Sequence, residues 1–152
     1  MVEAAEAVVA DHRVLQRRLR SQFRGLQRLG LQCKVTANAA EVEQAERIIL
    51  PGNGAFDACM HNLRASGLLP MLEQQVLQRC VPLLGICVGA QMLGHGSAEG
   101  VTPGLGWLDM RVERFPALPD LRIPHMGWNH AAAAQANHPL TKDMTDETRF
   151  YF

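Results

Sequence analysis

The stretch that decides the fold is Val81-Pro82-Leu83-Leu84-Gly85-Ile86-Cys87-Val88-Gly89, in the middle of this 152-residue chain. Its first six residues form an almost wholly apolar run, which is typical of a parallel strand buried on both faces. From Val88 to Leu93 the apolar residues return to a helical spacing. We therefore predict a strand, a sharp turn at Cys87 and then a helix.

Cys87 lies at the centre of this turn, between Gly85 and Gly89 in a Gly-x-Cys-x-Gly pattern. A nucleophile displayed on such a turn needs a strained backbone and very small neighbours two residues to either side. The turn places the sulfur at a helix N-terminus, where oriented amides favour the reactive thiolate. The N–H of Val88 then points to where an oxyanion forms. We predict a nucleophile, the alternative being a buried, inert cysteine.

The segments before this turn predict alternating strands and helices. Residues 31–35 and 47–50 are predicted strands, and residues 39–46, 55–65 and 68–79 are predicted helices. Such alternation indicates an α/β fold, with an open, mostly parallel sheet flanked by helices.

A second turn, Pro51-Gly52-Asn53-Gly54, ends the strand predicted at residues 47–50. In open α/β sheets, functional sites gather beyond the carboxyl ends of the strands. This turn is therefore expected to lie beside Cys87, where Gly52 and Asn53 can lend backbone N–H groups to an oxyanion. A simple turn is the alternative, and the local sequence alone favours it.

The first thirty residues are predicted to be helical, because Leu15, Leu19, Phe23 and Leu26 form one apolar stripe and Gly30 is a suitable C-cap. The one aromatic residue among the arginines of this segment, Phe23, belongs to the apolar stripe, so none is left for base stacking. A solvated helix face is therefore favoured over a nucleic-acid site for these residues: Arg13, Arg17, Arg18, Arg20, Arg24 and Arg28.

After Gly94, glycines and prolines interrupt the chain. Two strand-like pieces, Trp107–Phe115 and Arg122–Asn129, are expected between loops. The last four residues, Arg149-Phe150-Tyr151-Phe152, have the pattern of a strand that has just begun. We therefore expect a single domain over residues 1–152 that is truncated at its C-terminus.

Composition excludes several classes of function. The net charge is zero and the pI about 7.0, so no overall field favours nucleic acid or a membrane surface. No apolar run approaches a membrane span, and the acidic start is unlike a signal peptide. Cys33, Cys59 and Cys80 are interpreted as structural, reduced cysteines of a cytoplasmic protein. Cys59 and His61 form the only close Cys/His pair, so we expect no metal and no cofactor.

Two stretches together resemble the triad-type glutamine amidotransferases: Ile49-Leu50-Pro51-Gly52-x-Gly54-Ala55-Phe56 and Pro82-Leu83-Leu84-Gly85-Ile86-Cys87-x-Gly89-x-Gln91. The family has a flavodoxin-like fold. Further stretches resemble one branch, the glutamine amidotransferase subunits of imidazole glycerol phosphate synthase: Ser97-Ala98-Glu99-Gly100, Pro103-Gly104-Leu105-Gly106, Val112-x-Arg114-Phe115 and Ile123-Pro124-His125-Met126-Gly127-Trp128-Asn129. The resemblance runs from about Leu19 to Phe152.

The resemblance implies a mechanism and a partner. Cys87 attacks the side-chain amide of L-glutamine, with the oxyanion held by Val88 and the Gly52–Asn53 turn, and Gln91 matches a position near the bound glutamine. Ammonia then passes to a cyclase subunit, a (β/α)₈ barrel, in histidine biosynthesis. The partner-facing residues of the family match Pro124, Met126, Trp128 and Asn129. Without the family, Met126 and Trp128 would be interpreted as core residues.

The sequence departs from the family pattern in its C-terminal part. There a His-Pro-Glu stretch supplies the His and Glu of the triad, and it is absent here. His125, His130 and His138 are not at matching positions. A cysteine without its base lacks general-base activation, so we expect this chain alone to have little glutaminase activity.

Residues 1–18 also depart from the family and are atypical. Val8-Val9-Ala10-Asp11 stands where the family's first strand ends, but arginines replace the glycine turn that follows. A reading-frame slip in the gene is one explanation. If the sequence is genuine, loss of the first strand to a longer helix is the other expectation.

Three functions are compatible with the sequence. They are an ammonia-supplying enzyme subunit, a non-catalytic relic of the same family that only binds a partner, and an unrelated cysteine hydrolase with the same strand–turn–helix elbow at Gly85–Gly89. The Pro124–Asn129 stretch disfavours the hydrolase, which has no reason to carry it. The first two differ in whether a His-Pro-Glu stretch is encoded downstream.

Overall fold

The structure is a computed structural model that describes residues 7–10, 19–118, 123–134 and 138–152, with side chains from residue 24 onward. It divides into two compact units, Met1–Arg114 and Phe115–Phe152, and each is described by itself. Among the described residues, no helix has the length and apolar composition that crossing a membrane would require.

The first unit contains a four-stranded, wholly parallel sheet with the strand order β2-β1-β3-β4. This is the order of flavodoxin-like sheets, so the predicted open α/β fold is confirmed. Its strands are β1 (Ala7–Ala10), β2 (Cys33–Thr36), β3 (Arg47–Gly52) and β4 (Leu83–Cys87). Its helices are α1 (Leu19–Arg28), α2 (Ala39–Glu43), α3 (Phe56–Ala65), α4 (Leu69–Glu73), which continues as a π-helical turn (Gln74–Gln78), and α5 (Val88–Met92).

The N-terminal segment corrects a prediction. Ala7–Ala10 is a strand that pairs with β2 on one side and β3 on the other, so the helix predicted over the first thirty residues is wrong there. Loss of the first strand to a longer helix is wrong for the same reason. Pairing on both edges satisfies the backbone groups of β1, and this tertiary gain outweighs local helical preference. Leu15, Arg13, Arg17 and Arg18 lie outside the described residues.

The predicted end of the first helix is confirmed. Gly30 follows α1 in the left-handed conformation, with φ +74°, and its N–H bonds to the carbonyl of Gln27. Glycine adopts this conformation at little cost, which is why it commonly ends helices.

Strand β3 divides the core between the two faces of the sheet. Ile48 and Leu50 belong to the main cluster, whereas Ile49 contacts Leu26 of α1 and Ile86 on the other face. This alternation is the two-residue period of a strand. The main cluster brings together α2, α3, α4 and α5 through its buried residues: Val42, Ala45, Ile48, Leu50, Phe56, Met60, Leu63, Leu68, Leu72, Val88, Met92 and Leu93.

Strand β4 is parallel to β3, as predicted, but it is not buried on both faces within the described part of the chain. Leu83 packs against the main cluster. Leu84 belongs to the other face, opposite Ile49 in register, and its side chain is 57% exposed. The second face of β4 is therefore only partly covered, at Ile86, which packs against Ile49.

The strand predicted at Trp107–Phe115 is wrong. Only Val112 makes a strand-like bridge, to Ser97, and the rest of this stretch is loop. Its backbone bonds instead to the segment after α5: the N–H of Leu108 donates to the carbonyl of Leu93, and the carbonyl of Met110 accepts from the N–H of His95. Loop-to-loop pairing therefore replaces a regular ladder.

The second unit contains an antiparallel pair, β5 (Trp128–His130) and β6 (Arg149–Tyr151), which we name the hairpin pair. The strand predicted near the C-terminus is confirmed by β6. The strand predicted at Arg122–Asn129 is wrong before Trp128, because Pro124 has no N–H and Gly127 has φ +141°. Arg122 lies outside the described residues.

Candidate active site

Cys87 is the last residue of β4 and immediately precedes α5. Its backbone has φ 56° and ψ −124°, a combination that non-glycine residues rarely adopt. The side chain is exposed. The predicted strained turn is thus confirmed, since an exposed cysteine with a strained backbone stands between a strand and a helix.

Three glycines allow α5 to lie directly on the end of β3. A methyl carbon added at Gly89 would overlap the carbonyl oxygen of Leu50 and lie 2.8 Å from its carbonyl carbon. One added at Gly85 would lie 2.5 Å from the Cα of Ala90, and one at Gly52 would lie 2.6 Å from the carbonyl carbon of Val88. The small neighbours are therefore required by backbone packing between β3, β4 and α5.

The turn at Pro51–Gly54 lies beside the elbow, as expected. Gly52 and Cys87 are register partners on neighbouring parallel strands, which lie about 4.8 Å apart. Gly54 has φ +104°, and the chain then enters α3 at Phe56. The end of β3 and the start of α5 thus form one compact edge.

Val88 is buried, with 5% of its side chain exposed, and belongs to the main cluster. Its side chain therefore supports packing, and only its backbone is available to a ligand. As the first residue of α5, it has an N–H with no acceptor within the helix. Such an N–H beside an exposed sulfur is suited to an anionic oxygen.

Gln91 lies in α5, four residues after Cys87. Its Oε1 atom is buried, and no hydrogen-bond partner for it is found among the described residues. An unpaired buried acceptor costs free energy, typically about 1–3 kcal/mol. The amide oxygen of Gln75, in the core, is in the same state.

The segment after α5 is held against α3 by Asp57, a residue that sequence reasoning missed. The Asp57 carboxylate accepts the N–H of Thr102 at 2.9 Å and the N–H of Val101 at 3.2 Å. These bonds lower the pKa of Asp57 below its usual value. An acidic residue in the first turn of a helix signals a helix start, but nothing local reveals partners more than forty residues away.

Arg64 adds a second link between α3 and this segment. Its Nη2 atom donates to the carbonyl of Pro103 at 2.8 Å. Gly100 is also required here, because a Cβ at this position would overlap the Asp57 carboxylate. The Ser97–Gly104 stretch is thereby fixed at the same helix that follows the Pro51–Gly54 turn.

The other three cysteines differ in their surroundings, and none of the four is in a disulfide. Burial raises the pKa of the Cys33 thiol. Cys59, interpreted from sequence as structural, donates from Sγ to the carbonyl oxygen of Asn53 at 3.4 Å. Cys80 is exposed and has φ 55°, so it shares two features with Cys87. It follows the π-helical turn, however, whereas Cys87 precedes a helix.

The four predicted partner-facing residues lie in the second unit. Met126 and Trp128 are each 69% exposed, and Pro124 and Asn129 are also exposed. The Trp128 ring meets the Tyr151 ring edge-on, with 5.8 Å between centroids. All four residues are exposed, so the interpretation of Met126 and Trp128 as core residues is wrong for this unit.

The described residues contain no group of three or more His, Cys, Asp or Glu side chains arranged to hold a metal ion. Two of the histidines that sequence analysis set aside have contacts within the second unit. His125 lies between the rings of Phe115 and Phe152, and the Nδ1 atom of His130 is 2.8 Å from the carbonyl of Asp146.

The fold and the elbow agree with the comparison to protein families. Residues 17–151 match the class-I glutamine amidotransferase family, and the chain belongs to that family. A similar relative is imidazole glycerol phosphate synthase subunit HisH 2 of Pseudomonas aeruginosa, which is 47% identical over 127 residues, covering 84% of this chain and 62% of that protein. The HisH subunit of Bdellovibrio bacteriovorus is 46% identical over 128 residues, covering 82% and 62%.

A third relative, the HisH subunit of Nostoc punctiforme, is 42% identical over 134 residues, covering 88% of this chain and 63% of that protein. The chain thus spans about three fifths of the length of these curated relatives. A solved glutamine amidotransferase structure has a TM-score of 0.63 and 24% identity, covering 82% of this chain and 62% of that one. At 24% identity, this last likeness is evidence for a shared fold only.

Proposed function

We propose that this chain belongs to the glutamine-hydrolysing subunit of imidazole glycerol phosphate synthase, which supplies ammonia to a cyclase subunit in histidine biosynthesis. The observation that carries the proposal is the strained, exposed Cys87 elbow, in register with Gly52 at the edge of a parallel sheet. Membership of the amidotransferase family and the similarity to three HisH subunits support it.

The chemistry proposed for Cys87 is acyl transfer. The sulfur attacks the side-chain carbonyl carbon of glutamine, and the negative charge passes to the carbonyl oxygen. The N–H of Val88 and those of the Gly52–Asn53 turn stabilise this oxyanion. The C–N bond then breaks, the nitrogen takes up a proton and leaves as ammonia, and a thioester remains. Water attacks the thioester, giving glutamate and a free thiol.

Two further roles follow from the same proposal. Gln91, whose amide oxygen is buried with no hydrogen-bond partner among the described residues, is proposed to accept a hydrogen bond from the bound glutamine. The exposed side chains of Pro124, Met126, Trp128 and Asn129 face the cyclase subunit, a (β/α)₈ barrel. Aromatic residues and Met are enriched in protein interfaces. We propose a cytoplasmic location, as befits a biosynthetic enzyme.

A polypeptide made of these 152 residues alone is proposed to have little glutaminase activity. The proton donor and base of the family lie on a His-Pro-Glu stretch that these residues do not contain. Cys87 then has no general base at the matching position. Glutamate release from the purified polypeptide is the measurement, and release at ordinary enzyme rates, on the order of 10 per second, would contradict this proposal.

Covalent labelling tests the nucleophile without requiring turnover. We expect a chloroketone analogue of glutamine to label Cys87 at least about tenfold faster than Cys80, as followed by mass spectrometry of digested peptides. Cys80 is the matched control, because it is also exposed and has nearly the same φ. Cys87→Ser should remove the fast labelling, and Cys80→Ser should not. Labelling spread evenly over the four thiols would overturn the proposed site.

A further inference from the structure

We propose that Cys59 is a positioning residue for the turn that receives the oxyanion, and that it acts through the carbonyl group of Asn53. The inference rests on the proposed function, because it assigns a role within the same site. It starts from one contact, the hydrogen bond from the Cys59 thiol to the Asn53 carbonyl oxygen.

Cys59 is held in place by the helix that carries it. Its own N–H bonds to the carbonyl of Ala55 at 3.1 Å, and its half-buried side chain packs against the main cluster. Phe56 and Met60, its near neighbours in α3, are fully buried. The sulfur therefore reaches the turn from a rigid base, and the Asn53 carbonyl oxygen points towards α3.

That contact fixes one of the two peptide planes on either side of Asn53. Since a peptide unit is planar, the Asn53 carbonyl and the N–H of Gly54 turn together. The N–H of Asn53 lies in the other plane, that of the Gly52–Asn53 peptide, which is joined to the fixed plane through φ and ψ of Asn53. Gly52 in turn is the register partner of Cys87. The thiol thus holds the chain on one side of the proposed donor, and the pairing of Gly52 in β3 holds it on the other.

The hydrogen bond from Cys59 to Asn53 also has an electrostatic consequence that favours the reaction. A carbonyl oxygen that turned towards the elbow would place a partial negative charge where the substrate oxyanion develops, and this would oppose the reaction. Holding the Asn53 carbonyl oxygen at Cys59 Sγ keeps that charge on the side of α3.

The expected effect is modest. A thiol is a weak donor, and Cys59 acts on the proposed oxyanion donors only through the turn. Direct removal of one oxyanion donor slows catalysis about 100- to 1,000-fold. We therefore expect loss of the Cys59 hydrogen bond to slow the oxyanion-dependent reaction about threefold to tenfold, the worth of one net hydrogen bond.

The test compares two reagents at Cys87 in the 152-residue chain. A chloroketone analogue of glutamine places a carbonyl in the oxyanion site, whereas iodoacetamide alkylates the sulfur without needing that site. The measured quantity is the ratio of their second-order rate constants at Cys87. Cys59→Ala is expected to lower this ratio about threefold to tenfold, and Cys59→Ser, which keeps a donor, to restore it. Cys33→Ala, a half-buried cysteine on the opposite edge strand β2, is expected to leave it unchanged.

Each other outcome has a distinct meaning. If the ratio of the chloroketone rate to the iodoacetamide rate in the unsubstituted chain is no higher at Cys87 than at Cys80, the proposed function fails. If the ratio is higher at Cys87 and Cys59→Ala keeps it, the inference on Cys59 is wrong while the proposed function stands. The inference is also wrong if Cys59→Ser behaves like Cys59→Ala, or if both reagents slow equally. Cys59→Val, which fills the space without a donor, replaces Cys59→Ala if the alanine variant does not fold.

Discussion

The elbow around Cys87 and the hairpin pair of the second unit are held by different means. At the elbow, backbone lies directly on backbone, and Gly52, Gly85 and Gly89 each leave no room for a methyl group. In the hairpin pair, all six strand residues are exposed, and a short backbone ladder together with side-chain contacts such as Trp128 with Tyr151 joins the two strands. Isolated two-stranded pairs are marginally stable. A change in side-chain size is therefore expected to lower the free energy of unfolding strongly at the elbow and weakly in the hairpin pair.

The largest effect is expected for Gly89→Ala. The added carbon would overlap the Leu50 carbonyl oxygen and lie 2.9 Å from the carbonyl carbon of Pro51, and neither backbone atom can move without distorting β3. We expect a loss of about 3 kcal/mol or more in the free energy of unfolding, measured by urea denaturation.

Gly25→Ala is the matched control for this substitution. Gly25 lies in α1, and nothing stands within 4 Å of a Cβ built there. Since alanine favours helix over glycine, this variant should gain about 0.5–1 kcal/mol. If Gly89→Ala unfolded at the same urea concentration as the unsubstituted chain, the close packing assigned to the elbow would be contradicted.

An intermediate effect, dependent on pH, is expected for Asp57→Asn. The backbone N–H groups of Thr102 and Val101 lower the pKa of Asp57, so the carboxylate stabilises the fold at pH values above the ordinary pKa of about 3.9. That contribution is lost as the pH falls through the lowered pKa of the folded state. The urea midpoints of the two proteins should differ most near pH 7 and converge below about pH 4. A difference that stayed constant from pH 7 to pH 3 would rule out this role.

The parts of the elbow that were predicted from sequence depend on local patterns or on topology. Gly85, Cys87 and Gly89 stand within five residues, so their pattern is legible in one stretch. The place of Gly52 beside Cys87 followed from the rule that carboxyl ends of parallel strands meet at one edge. The flavodoxin-like sheet followed from alternating segments.

What escaped prediction depends on contacts made only in the folded chain. Strand β1 forms because two neighbours pair with it, although its flanks favour helix. Asp57 reaches a backbone 45 residues away. Cys59 binds a carbonyl only six residues earlier, but the spacing of residues does not predict the hydrogen-bond partner of a thiol. The exposure of Leu84 depends on what packs on that face of the sheet, and an apolar pattern alone does not specify that.

The smallest effect is expected in the hairpin pair, for Trp128→Ala. The variant loses the edge-on contact with Tyr151, but 69% of the Trp128 side chain is already exposed, so little apolar burial is lost with it. A cross-strand aromatic pair contributes about 0.2–1 kcal/mol. We expect a loss in that range, with faster amide hydrogen exchange at Asn129 and Phe150 and an unchanged exchange rate in β3. Trp128→Phe should keep most of the protection, since it retains a ring opposite Tyr151. If Trp128→Ala destabilised the chain as much as Gly89→Ala, the contrast between a closely packed elbow and an exposed hairpin pair would be wrong.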